Sequence, residues 1–206
     1  MRLNQFLFIG VTCLSLIGLV GCAGSPTKTA YSYYLLTTTP SQPIENQAQA
    51  DRPLVIIKPI HLAKFLEQPG IVMQITPHQF QPARTHLWGE SLDEGIQKAL
   101  LQDLKAIHSN YTVRGEHQWI TRLARFQLQL NITQFQVTND ATVVISGSYW
   151  ITDSPAKNVY INRDFSFQTE LTENGYEHAV AKLRKLIHQL SLQLNKSLTL
   201  LNQNDP

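Results

Sequence analysis

Cysteine is nearly absent from these 206 residues: there are two, Cys13 and Cys22. With so few, no disulfide framework and no thiolate metal site of several cysteines can be built. Excess charge of either sign is also missing, because 17 Lys and Arg stand against 15 Asp and Glu for a net charge of +2. No basic surface of the kind that binds nucleic acid follows from that balance. The glycines are isolated, so there is no phosphate-cradling loop, and no serine sits in a G-x-S-x-G setting. Seven histidines are scattered at 61, 78, 86, 108, 117, 178 and 188 without metal-ligand spacing. His78 and His86 could share a strand face, where a solvated pair is the plainer reading. Asp93 and Glu94 fall in the first turn of an expected helix, where carboxylates offset the macrodipole. Glu90 and Asp103 take the same explanation. No catalytic residue, metal ligand or cofactor is therefore assigned, and a non-enzymatic role is expected.

The one long apolar run is Phe6 to Val20, about 15 residues and uncharged. It is shorter than the roughly 20 residues a helix needs to span a bilayer. Arg2 precedes it, and Leu19-Val20-Gly21-Cys22 follows. A positive start, a short apolar stretch and small residues before a cleavage point describe an export signal rather than a span. The motif resembles the lipobox of bacterial lipoproteins, in which a thiolate accepts lipid and small side chains flank the cut. Residues 1–21 are read as the signal peptide, Cys22 as the lipidation site and 22–30 as a lipidated tether. Residues 31–206 are read as one periplasmic domain. Ala23, rather than Asp, favours the outer membrane by resemblance to Gram-negative sorting rules. Cys13 leaves with the signal, so Cys22 is the last cysteine. Two acyl chains are what stable anchoring takes.

Past the tether, residues 31–36 are aromatic-rich and read as a strand. Residues 37–53 hold three prolines and read as a loop. Leu54 to Ile57 suits a buried strand stopped by Pro59. Residues 71–75 and 79–87 suit two strands about a turn at Pro77. Ser91 and Glu94 form a capping-box pattern. Leu92, Ile96, Ala99, Leu100, Leu104 and Ile107 then repeat at helical spacing. Residues 111–114 suit a short strand. Phe126, Leu128, Leu130 and Ile132 alternate with polar residues, after which Phe135 and Val137 change parity, so a bulge is expected near Thr133-Gln134. A turn at Asn139-Asp140, a second alternating run to Ile151, a turn at 154–158 and a third run to Leu171 complete a meander. From Gly175, apolar residues from Tyr176 to Leu198 follow a 3.6-residue period. That last helix is expected to cover the sheet, in preference to lying on a membrane. The fold class is α+β, a mostly antiparallel sheet with two helices on one face.

Several stretches taken in order resemble one family. They are Tyr33-Tyr34-Leu35-Leu36, Leu54-Val55-Ile56-Ile57-Lys58-Pro59-Ile60, then Leu62 with Phe65-Leu66 and Pro69-Gly70-Ile71-Val72. Leu87-Trp88-Gly89-Glu90-Ser91-Leu92, the segment from Phe135 to Trp150, and Gly175-Tyr176 before the long helix complete the series. Together they resemble the PqiC/YmbA family of ABC-type transport auxiliary lipoproteins. At Gln68 and Gln74 the family often has basic residues, so an electrostatic contact there is not carried over. The resemblance implies an outer-membrane lipoprotein on the periplasmic face that binds an MCE-type transport protein and serves lipid or organic-solute transport. It also suggests a ring of identical subunits. A structural adaptor for envelope assembly is the alternative of another class. Phe65, Leu66 and Trp88 are the expected contact residues, as exposed apolar groups outside the core. Trp88 suits equally a staple between the first helix and the sheet.

Overall fold

The computed structural model describes residues 29–37, 52–107, 110–116 and 123–203, with backbone alone at 202–203. The chain divides into two compact units, Met1–Ala30 and Tyr31–Pro206. The signal segment, Cys22 and most of the tether lie outside the described residues, as does most of the expected loop at 37–53. All the regular elements among the described residues belong to the second unit.

The strands there are β1 (Ser32–Tyr34), β2 (Leu54–Ile57), β3 (His61–Leu62), β4 (Gly70–Thr76), β5 (Gln79–Trp88), β6 (Thr112–Gly115), β7 (Phe126–Val137), β8 (Thr142–Asp153) and β9 (Val159–Glu170). The helices are α1 (Leu92–Ala106) and α2 (Tyr176–Gln203). The class is α+β, as the alternation and helical periods imply.

Three long strands, β7, β8 and β9, form an antiparallel ribbon. On its other edge β7 receives β2, β3 and, at Val137, the middle of β4, one after another and all parallel. β6 then joins β2 in parallel, β5 joins β4 antiparallel and β1 joins β5 in parallel. The sheet is thus mixed, antiparallel in its long strands and parallel where the short ones dock. The register of the ribbon shifts between Ile132 and Gln134, at the expected bulge. Two registered rows, Leu128–Ile151–Ile161 and Leu130–Tyr149, lie before it, and Phe135–Ile145–Phe167 after it. The bulge keeps these residues on one face across the change of parity.

That face looks at the helices, because the Tyr149 hydroxyl lies 2.7 Å from Ser197 Oγ of α2. Leu183, Leu186, Ile187, Leu190, Leu194 and Leu198 of α2 are all fully buried and join Ile96, Ala99, Leu100 and Leu104 of α1 in a single core. At about 25 cal/mol per Å² of apolar surface, such a stripe far outweighs any propensity of the isolated helix. No described helix is long and apolar enough to cross a membrane. Gly175, at φ +119°, makes the left-handed step into α2 that an L side chain would resist. At the start of α1 Ser91 occupies the N-cap position with extended dihedrals, but its side chain makes no capping hydrogen bond. The expected box is not closed: Glu90 and Glu94 both face Lys98 instead.

Candidate functional site

The segment that sequence reasoning marks as a contact surface leads from β3 through one 3-10 turn, Lys64–Leu66, into β4. Ala63 donates its backbone N–H to Ile132 O at 2.9 Å, pinning the turn to β7. Lys64 and Glu67 point outward and pair at 2.5 Å, and the hydrogen bond to Glu67 is the main reason the Lys64 ammonium holds its proton above the usual lysine range. Leu66 points inward and is fully buried. Phe65 is half-buried against the core, its ring 4.5 Å from that of Phe80. Trp88, the last residue of β5, is 8% exposed and packs 6.1 Å from Phe135. Its backbone N–H donates to Pro69 O, and the Gly89 backbone N–H to Tyr34 O, both at 2.8 Å.

The expectation of exposed apolar anchors at Leu66 and Trp88 is therefore overturned. The 3-10 turn places residues 64 and 67 outside and residue 66 inside. β1 and β4 flank the end of β5 and carry Trp88 into the core. The staple reading of Trp88 agrees with its place among core residues that include Leu92 of α1. Of the three, Phe65 alone keeps a partly accessible side chain.

Beside this turn lies a cleft of about 570 Å³ with Ile60, Leu62, Pro69, Trp88 and Leu92 among its lining. The polar groups around it are His61, Glu67, Gln68, Glu90, Ser91 and Asp93. Glu90 is ion-paired with Lys98, a bond that is the first cause of the raised Lys98 proton affinity. The segment thus offers acidic and amide groups where loose apolar ones were expected. A second cleft, of about 550 Å³, opens where the end of β4 meets the β7–β8 turn and the start of α2. Met73, Ile75, Val137, Leu171 and Tyr176 line it.

Two side-chain clusters escape a reading of the sequence. Asp103 is not a surface carboxylate. It is buried between the helices and accepts a bidentate pair of bonds from Arg184 at 2.6 and 2.7 Å. Ser191 Oγ adds a 3.3 Å bond, and His188 Nδ1 stands 3.4 Å away. Such fork geometry fixes both distance and rotation between the helices. A signal is present: Asp103 sits i+3 from Leu100 and i+4 from Ala99, inside the apolar stripe. The second cluster joins β1, β5 and α2. His86 Nδ1 lies 2.9 Å from the Tyr34 hydroxyl, and its ring stacks on Tyr176 at 3.8 Å. His86 is thus a packed structural group and His78 an exposed one in the β4–β5 turn, so the two do not form a pair. His108 and His117 lie outside the described residues. Among the described residues, no group of three or more His, Cys, Asp or Glu could hold a metal ion.

The same architecture occurs in solved structures. One of them, an uncharacterized protein, superposes with a TM-score of 0.69 at 21% identity, covering 82% of this chain and 99% of that one. Protein XCC0632 from Xanthomonas campestris superposes with a TM-score of 0.66 at 12% identity, covering 84% and 98%. At these identities the likeness is one of fold. No curated protein sequence matches. The family model for the ABC-type transport auxiliary lipoprotein component matches residues 34–195, nearly all of the domain, and the chain belongs to that family.

Proposed function

We propose that this chain is the outer-membrane-anchored subunit of an intermembrane transport system for lipid or organic solute, and that it works by binding an MCE-type partner protein rather than by catalysis. The observation that carries this reading is the family match across residues 34–195. Two features support it. The lipobox ending in Cys22 supplies an anchor, and a conduit across the envelope needs a fixed end. Asp103 and His86, which carry groups capable of chemistry, are engaged in packing elements together. The surface around the 3-10 turn, with Phe65 half-exposed and Glu67, Gln68 and Asp93 at the cleft, is the proposed partner contact. A ring of identical subunits at the membrane would present several such contacts at once and gain avidity.

The test is affinity purification of the full acylated chain from membranes, with deletion strains assayed for permeability to large antibiotics. Recovery of an MCE-type protein, and a permeability defect that the intact gene restores but Cys22→Ser does not, is the expected result. Repeated recovery of envelope-assembly machinery in its place would support an adaptor role and defeat the transport reading.

A further inference from the structure

The strand that follows the tether is oddly faced. From Tyr33 in β1 to Leu36 just past it, burial alternates as an extended chain requires. Tyr34 and Leu36 turn inward, Tyr34 to His86 and Leu36 into the core at 3% exposure. Tyr31, Tyr33 and Leu35 turn outward, at 57, 66 and 48% exposed. Single exposed apolar residues are ordinary, but three successive ones along one face make a patch that needs an explanation. The patch is also held in place. Gly89 N–H bonds Tyr34 O, and an ideal Cβ on Gly89 would fall 3.0 Å from Leu35 Cδ2, so strand and turn are in close contact.

We propose that the outward face of β1 and its flanking residues rests on the bilayer that holds the acyl anchor, with Tyr31, Tyr33 and Leu35 in the headgroup region. The inference rests on the proposed anchoring at Cys22. Nine residue steps separate Cys22 from Tyr31, a reach of at most about 30 Å at roughly 3.3 Å per residue. A domain of the size of Tyr31–Pro206 is about 40 Å across. A tether shorter than the domain is wide keeps its point of attachment toward the membrane, and that point is this strand. The chemistry agrees. Tyrosine presents an apolar ring with a polar tip and gathers at membrane–water boundaries. From Tyr31 to Leu36 the chain has no charge that would resist leaving water. A protein partner pairing along the edge of β1 fits less well, since the strand offers three residues.

Depth-dependent quenching tests this on the full acylated chain, whose only cysteine after processing carries lipid. Tyr33→Cys is labelled with a small fluorophore in vesicles of phosphatidylethanolamine and phosphatidylglycerol containing headgroup-region doxyl lipid. Tyr160→Cys, an exposed aromatic position on β9 at 53%, is the comparison. The expected result is quenching several-fold stronger at 33 than at 160, and restored solvent access at 33 when Tyr31→Ser and Leu35→Ser are added. Equal quenching at the two positions, while the protein still floats with the vesicles, overturns the docking and leaves the anchor and the transport reading intact. Shielding at 33 that tracks protein density rather than doxyl content makes a second copy the occupant and equally overturns it. Failure to float refutes the anchor itself, and the docking falls with it.

Discussion

The ribbon β7–β9 and the group β1–β6 are built on opposite plans. In the ribbon each strand has 12 residues and pairs with its neighbour in sequence through a short turn. In the N-terminal group β2, β3 and β4 are 4, 2 and 7 residues long, and each docks on β7. That template lies 50 or more positions later in the chain. Ribbon register is thus a local property. In the N-terminal group β4 and β5 alone, among the described strands, pair across a short turn, and the docking of β2, β3 and β4 on β7 is long-range. Local pairing is cheap in loop-closure entropy and long-range pairing is not. The two regions should accordingly fail in different ways.

The largest effect is expected where the ribbon's own geometry is tightest. A Cβ on Gly147 would stand 2.0 Å from the Asn131 carbonyl oxygen, beside the bulge. Backbone cannot yield as a flexible side chain can, so Gly147→Ala must displace β7 from β8 around Asn131 and Ile132. A loss of about 4 kcal/mol is expected, above the roughly 1–3 usual for overpacking because the clash is with backbone. Urea unfolding would measure it, and the loss should be global. A variant within about 1 kcal/mol of the parent, the ordinary range for a tolerated substitution, would show the ribbon to be softer than its register implies.

Next comes Leu66→Ala, which removes a fully buried side chain from the turn feeding β4. About 3 kcal/mol is expected for a cavity of that kind. Here the damage should be regional: hydrogen exchange at Ala63 and Trp88, whose N–H groups bond Ile132 and Pro69, should accelerate more than exchange along β8. Uniform acceleration would mean that the two regions unfold as one, and the contrast between them would be lost.

These differences also explain what can be read from the sequence. The ribbon is legible because period-two alternation survives wherever strands are long, and even the bulge shows as a change of parity between Ile132 and Phe135. Helix bounds are legible from their apolar stripes, and Ser91 from its position, although not its missing cap bond. The strand β3 is illegible, since two residues carry no period. So is parallel docking on β7, because nothing local to residues 54–76 points to a partner at 126–137. Leu66 and Trp88 mislead for the same reason: an apolar residue in an irregular segment reads as exposed until the surface that buries it is known. Asp103 misleads because a first-turn carboxylate and a stripe carboxylate look alike unless position on the helix is weighed.

Asp103 also joins the two regions, since α1 follows β5 and α2 follows β9. Its carboxylate is 9% exposed, while the Arg184 side chain keeps 25%. Asp103→Ala strands a guanidinium that can partly reach water, so the cost should be about 2 kcal/mol, below the range for a fully buried pair. The double change Asp103→Leu with Arg184→Met should recover most of it, because apolar replacements of a buried pair are often neutral. If the double variant is as unstable as the single, the pair contributes more than the removal of an orphaned charge. The link between the helices would then be specific rather than merely tolerated.

The smallest effect is expected at the β8–β9 turn, where the ribbon is tied by a carboxylate. Asp153 accepts bonds from the N–H groups of Asn158 at 2.9 Å and Lys157 at 2.6 Å, and from the Asn158 side chain at 2.7 Å. The backbone N–H of Asn158 is the chief cause of its carboxyl lying below the ordinary aspartate range. A folded-state pKa below the unfolded one adds stability above the unfolded value, near about 3.9, and that stability disappears as pH falls through the folded value. The carboxyl is in open solvent, so the effect should be slight and confined to this turn. Amide exchange at Lys157 and Asn158 should therefore be slower than in Asp153→Asn at about pH 6, with the difference closing on acidification below about pH 4. The β7–β8 turn, where the hydroxyl of Thr138 bonds Thr142 O at 2.8 Å, offers the internal comparison. Asn in place of Asp153 should leave exchange there unchanged. If both turns loosened together, the ribbon's turns would be coupled, and its register would be less local than the pairing of its strands indicates.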